Sequence, residues 1–211
     1  DMAGKCSGIG RFATACETPP ALILINPVKQ GVMYESVSAV LPGKTRQMAE
    51  ALADLANHLA AALRRRGEWL ATAESCTGGW VAKVCTDLAG SSAWFERGFV
   101  TYSNDAKQEL LGVSAETLDR HGAVSEQTVQ EMAAGVLQNS HAQWALAISG
   151  VAGPGGGSRE KPVGTVCFAW AGPGGWMMSR RYCFDGDREA VRRQAVATTL
   201  SLLISRLNEL T

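Results

Sequence analysis

A short apolar run, Trp69-Leu70-Ala71-Thr72-Ala73, leads through Glu74-Ser75-Cys76-Thr77-Gly78-Gly79 into a segment where Trp80, Val81, Val84, Cys85 and Leu88 share one helical face. A strand that turns tightly into a helix constrains the fold more than any other feature of this chain. Free backbone N–H groups face whatever lies at such a turn, and the glycine pair lets a ligand approach the backbone closely. Glu74, Ser75, Cys76 and Thr77 bring reactive groups to the same corner. A plainer reading makes Ser75 or Thr77 a helix cap, since both residue types favour that position.

The remainder repeats the alternation of strand and helix. Met48, Leu52, Leu55, Leu59 and Leu63 mark a helix that ends in arginines and Gly67. Arg97 to Tyr102 reads as a strand. Ser103 or Asn104 then caps a short helix carrying Lys107, Ser114 opens another that ends near His121-Gly122, and Ser125 caps a longer one. Trp144-Ala145-Leu146-Ala147-Ile148 is continuously apolar, as in a strand covered on both faces. A glycine-rich loop from Ser149 to Ser158 follows it. Gly164–Trp170 and Trp176–Phe184 flank a Gly-Pro-Gly-Gly turn as a hairpin, and Asp187 caps the last helix. This order predicts an α/β fold, a three-layer α/β/α sandwich with a mixed, mostly parallel sheet of about five strands and a C-terminal hairpin.

Residues 1–43 lack any sustained period, apart from a candidate strand over 31–41. They read as an irregular extension outside a domain spanning 44–211, with upstream sequence before a start at Met33 or Met48 as one origin.

Composition narrows the function. Lys+Arg and Asp+Glu both number 20, so the chain has neither the basic excess nor the basic stripe expected of a nucleic-acid binder. No apolar run approaches the ~20 residues of a membrane helix. The six cysteines show neither a C-x-x-C pair nor zinc-like spacing with the three histidines, which points to reduced thiols, a cytoplasmic setting and no metal.

Three segments then stand in order: Thr72–Gly79, Thr101-Tyr102-Ser103-Asn104-Asp105-Ala106-Lys107, and Ser149–Gly157 followed by Lys161-Pro162-Val163-Gly164-Thr165. His121–Ser125 and Phe184-Asp185-Gly186-Asp187-Arg188 accompany them. Together they resemble the C-terminal domain family of the CinA competence-damage proteins, from Met48 to the C-terminus. That family's stand-alone members include bacterial nicotinamide mononucleotide deamidases. The resemblance implies an amidase in pyridine nucleotide recycling that needs no cofactor, turns nicotinamide mononucleotide into nicotinic acid mononucleotide and ammonia, and assembles as a homo-oligomer. It places the family's serine, tyrosine and lysine on Ser75, Tyr102 and Lys107.

The residues support that chemistry on their own terms. Amide hydrolysis needs a nucleophile, a base and donors for the developing oxyanion. His58 falls mid-helix and His141 just before a strand, which leaves His121 as a minor candidate base. Lys107, kept neutral by burial or a nearby cation, serves better, and Tyr102 could relay a proton. Backbone N–H groups from Cys76 to Gly79 are candidate oxyanion donors. Glu74, Cys76, Thr77, Gly78, Gly79, Ser149, Gly150, Gly153 and Lys161 are candidate substrate contacts, and Arg159 is a further phosphate partner to consider. Two competing readings remain. One is a pyridine-nucleotide-binding or competence-related module without turnover. The other makes Cys76 the nucleophile, its thiol activated at a helix N-terminus.

Overall fold

A computed structural model describes residues 42–210, with side chains from Glu50 onward. The candidate strand over 31–41 and the proposed extension lie outside the described residues, save that the first helix already begins at Pro42.

The elements follow the order α1 (Pro42–Arg66), β1 (Leu70–Glu74), α2 (Trp80–Thr86), β2 (Phe95–Val100), α3 (Asn104–Leu111), α4 (Ala115–His121), α5 (Glu126–Gln138), β3 (Trp144–Gly150), β4 (Thr165–Gly172), β5 (Trp176–Cys183) and α6 (Arg188–Glu209). One sheet has the order β2-β1-β3-β4-β5. β1 pairs in parallel with both β2 and β3, whereas β4 runs antiparallel to β3 and β5 to β4. Four of the five strands therefore point the same way, and β4 alone is reversed. The hairpin β4–β5 turns through Pro173–Gly175.

Alternation along the strands separates the two faces. Trp144, Leu146 and Ile148 of β3, with Val166, Phe168 and Trp170 of β4, pack with α1, α2 and α6. Ala145 and Ala147, with Cys167, Ala169 and Ala171, face the other way onto Leu111, Leu118, Val129, Met132, Ala133 and Val136 from the α3–α5 side. The first face is bulky and aromatic, with Phe168 stacked on Trp170 at 5.7 Å between ring centroids. The second is lined by small residues, so α5 lies close against it.

Side-chain caps form where the sequence places them. Ser103, Ser114, Ser125 and Asp187 accept from the N–H of Ala106, Thr117, Thr128 and Ala190. Two expectations are corrected. β2 ends at Val100 rather than Tyr102, because its parallel register with β1 runs out at Glu74↔Val100. The cap of α2 is neither Ser75 nor Thr77. Gly79 occupies the N-cap position without a side-chain bond, and Glu74 at the end of β1 accepts from Val81 N at 3.0 Å and Ala82 N at 2.9 Å.

Candidate active site

β1 leads outward to β2 on one side, and α3–α5 return the chain to β3 on the other. The carboxyl ends of β1 and β3 thus flank the point where the strand order reverses, the usual place for a crevice in an open α/β sheet. The crevice here is a cavity of about 230 Å3 lined by Ser75, Cys76, Tyr102, Lys107, Ser149, Gly150 and Arg188, with Ala123, Val124 and Ala152 as its apolar wall. Ser75 comes from the end of β1, Ser149 and Gly150 from the end of β3, and Tyr102 and Lys107 from the loop and helix after β2.

Lys107 is 1% exposed, and its Nζ reaches Ser75 Oγ at 3.1 Å, the Thr101 carbonyl at 2.7 Å and the Ser103 carbonyl at 3.5 Å. Every one of these partners is neutral. Desolvation without a compensating carboxylate lowers the lysine pKa below its ordinary value, so the amine sheds its proton more readily than an exposed lysine does. A buried serine hydroxyl beside such an amine has the geometry that a nucleophile–base pair requires.

The backbone of the turn is divided in its use. Ser75 N–H donates to the Ile148 carbonyl at 3.0 Å and Gly78 N–H to the Ser75 carbonyl at 3.0 Å. Gly78 is thereby withdrawn from the candidate oxyanion donors. The N–H groups of Thr77 and Gly79 make no backbone hydrogen bond among the described residues, whereas that of Cys76 is directed at its own sulfur. Gly78 and Gly79 have φ of 62° and 90°, a left-handed stretch in which a side chain would be strained.

Three candidate contacts are engaged elsewhere in the structure. Both carboxylate oxygens of Glu74 are engaged by α2, so Glu74 supports the turn rather than facing a ligand. Lys161 does not line the cavity, and its ammonium donates to the His121 carbonyl at 2.5 Å. Gly153 is likewise absent from the lining, its carbonyl accepting from Arg188 at 2.8 Å. Thr77, Gly78 and Gly79 line a second, larger groove with Trp80 and α6. Ser149 stays at the cavity, donating to the Ala123 carbonyl at 2.7 Å. Arg159 and all three histidines are exposed and line neither space.

Burial weighs against Cys76 as the nucleophile, pushing its thiol up to about 12 and disfavouring the thiolate. Among the described residues no cluster of His, Cys, Asp or Glu gathers as a metal site requires, and no helix is long and apolar enough to cross a membrane.

Sequence reasoning did not assign roles to two arginines of α6. Arg188 donates to Tyr102 Oη at 3.2 Å as well as to Gly153. Arg192 holds the turn from outside, donating to the carbonyls of Cys76 at 3.0 Å and Thr77 at 2.9 Å, with its guanidinium 5.1 Å from the Trp80 ring centroid. Their i, i+4 spacing at the start of a capped helix was the available signal, because it directs both toward whatever that helix end meets.

The sequence model of the CinA C-terminal domain matches residues 52–207. The chain belongs to the CinA C-terminal domain family. Members with assigned names include the Nicotinamide-nucleotide amidohydrolase PncC of Escherichia coli K12, 62% identical over 152 residues, 72% of this chain and 92% of that protein. The protein of the same name from Pseudomonas putida is 53% identical over 150 residues, 71% of this chain and 93% of its own. Among solved structures, a competence/damage inducible protein from Agrobacterium tumefaciens superposes with a TM-score of 0.72 at 46% identity, over 75% of this chain and 96% of that one. The CinA C-terminal fold thus accounts for the sheet that carries Ser75, and the family match begins at Leu52, within α1.

Proposed function

We propose that this chain is an amidohydrolase that deamidates nicotinamide mononucleotide to nicotinic acid mononucleotide and ammonia, in the recycling of pyridine nucleotides. The observation that carries the proposal is the 3.1 Å contact between Ser75 Oγ and the buried Nζ of Lys107. The high identity to relatives named for nicotinamide-nucleotide hydrolysis supports the substrate.

In this reading Ser75 Oγ attacks the carboxamide carbon while the neutral Lys107 amine takes its proton. The oxyanion that develops on the carbonyl oxygen is met by backbone N–H groups of the turn that follows Ser75, where Cys76 lines the cavity. When the C–N bond breaks, the proton held by Lys107 passes to the leaving nitrogen, with Tyr102 at the cavity wall as a relay, and ammonia departs. Water, activated by the same amine, then hydrolyses the Ser75 ester. Ser149 and Gly150 close the side of the cavity opposite Tyr102 and Lys107 in sequence origin, and no cofactor enters any step. The proposal includes a cytoplasmic setting and a homo-oligomer acting on a small nucleotide, without nucleic acid or membrane.

Ammonia release from nicotinamide mononucleotide, measured for wild type and Ser75→Ala together, tests it. Release by wild type and loss of at least about 10^3-fold in the folded variant is the expected result. Nucleotide binding without release by either protein would instead indicate a binding module, and undiminished release by Ser75→Ala would remove the serine from the mechanism.

A further inference from the structure

We infer that Arg188 reads the phosphate of the substrate and sets the preference for a nucleotide over its nucleoside. The inference rests on the amidase reading for the identity of the ligand, but not on turnover for its test.

Space is the first observation. Pockets for drug-sized ligands usually run to roughly 300–1,000 Å3. At about 230 Å3 the cavity at Ser75 suits a pyridine carboxamide with part of its ribose rather than a whole nucleotide. The larger groove, about 820 Å3, lies beyond it between α1, α2 and α6, and among the described residues Arg188 alone lines both spaces. A ligand with its carboxamide at Ser75 and its remainder in the groove passes Arg188 on the way.

Charge is the second. The groove carries Lys83, Arg188, Arg192 and Arg193 against Asp87 and Glu189. Lys83 pairs with Asp87 at 2.6 Å and Arg193 with Glu189 at 2.5 Å, which neutralises both acids. Among the described residues Arg188 and Arg192 hydrogen-bond to carbonyls and to the Tyr102 phenol and to no carboxylate. Arg192 is braced under the turn and against Trp80, whereas Arg188 stands at the boundary of the two spaces. The neighbouring acid Asp187 is taken up capping Ala190. Thr77 lines the same groove, and its buried hydroxyl has no hydrogen-bond partner. A planar guanidinium without a carboxylate partner among the described residues, at the boundary of the two spaces, is the group a phosphate dianion pairs with best.

The readout is the ratio of kcat/KM for nicotinamide mononucleotide to that for nicotinamide riboside, in wild type and Arg188→Gln. Any disturbance of Tyr102 acts on both substrates and cancels in the ratio. We expect wild type to favour the nucleotide and Arg188→Gln to cut that preference by about 10- to 100-fold, the range of a lost charge-assisted hydrogen bond. Arg188→Lys should restore part of it. Equal loss on both substrates, or no preference in wild type, overturns the inference. If wild type releases no ammonia, calorimetric binding of the mononucleotide and riboside to the same proteins gives the same ratio, so failure of the amidase reading is told apart from failure of this one.

Discussion

Lys107 Nζ lies closer to the Thr101 carbonyl, at 2.7 Å, than to Ser75 Oγ, at 3.1 Å. The backbone thus anchors the amine from the strand side while the serine occupies a weaker position, the arrangement of a base that is held firmly and exchanges a proton with its neighbour. The tether is local, since Thr101 precedes Lys107 by six residues and α3 begins between them.

Burial lowers the Lys107 pKa from its ordinary 10.5, and the sign of the resulting pH dependence follows. Between the folded value and 10.5 the unfolded chain binds more protons, so this group's contribution to stability rises with pH. It is complete above 10.5 and lost as pH falls through the folded value. Lys107→Met should therefore abolish turnover while leaving Tm at pH 7 undiminished, and should flatten the rise in stability toward alkaline pH. Turnover in wild type should climb over the same range. Thermal melts across pH 6–10 with parallel ammonia assays check this, and a large fall in Tm on Lys107→Met would contradict it.

Glu74 is a structural acid. Glu74→Ala leaves the Val81 and Ala82 N–H groups without their acceptor and should destabilise the protein by about 1–3 kcal/mol, seen as a lower urea midpoint at unchanged slope. Glu74→Gln keeps one carbonyl oxygen and should lose less. An unchanged midpoint combined with a raised KM would return Glu74 to the substrate.

The thiol of Cys76 should be inert. Held near 12, it is protonated at neutral pH, so alkylation by iodoacetamide at pH 8 should be slow in the folded protein. Cys76→Ser should keep turnover within about tenfold of wild type, because the step it supports uses the backbone of its turn. Loss of activity comparable to that of Ser75→Ala would revive the thiol.

Gly135 reverses a familiar rule. In an exposed helix Gly→Ala gains up to about 1 kcal/mol. Here a Cβ would come within 2.0 Å of the Leu111 carbonyl oxygen, at the end of the helix that carries Lys107. Gly135→Ala should cost about 1–3 kcal/mol as overpacking and also depress kcat by displacing α3. Chemical denaturation and steady-state kinetics on the one variant report both effects.

The elements were legible in the sequence because their signals are local. Apolar period, serine and aspartate caps, and the Gly-Pro-Gly-Gly turn each act within a few residues, and the observed helices and hairpin follow them. The family motifs likewise singled out Ser75, Tyr102 and Lys107, which share one cavity. What could not be read depends on long-range geometry. The identity of the α2 cap is fixed by where β1 ends relative to a helix seven residues on. The boundary of β2 is fixed by register with β1. Arg188 and Arg192 reach partners 35 to 116 residues away, and no spacing rule connects those segments. Lys161 illustrates the converse, a charged residue just after the glycine-rich loop that folds back onto His121.

The unequal faces of the sheet give the two halves of the molecule different freedom to change. On the aromatic side, volume can be exchanged among Leu146, Phe168 and Trp170 and their helical neighbours, so substitutions there can be compensated by repacking. On the alanine side the strands themselves offer little volume to exchange, so an added methyl there presses on α5 and on Leu111 of the helix holding Lys107. Sequence drift in this protein should therefore concentrate on the side away from the base, leaving the small residues Ala71, Ala73, Ala145 and Ala147 as the more reliable mark of a working member of the family.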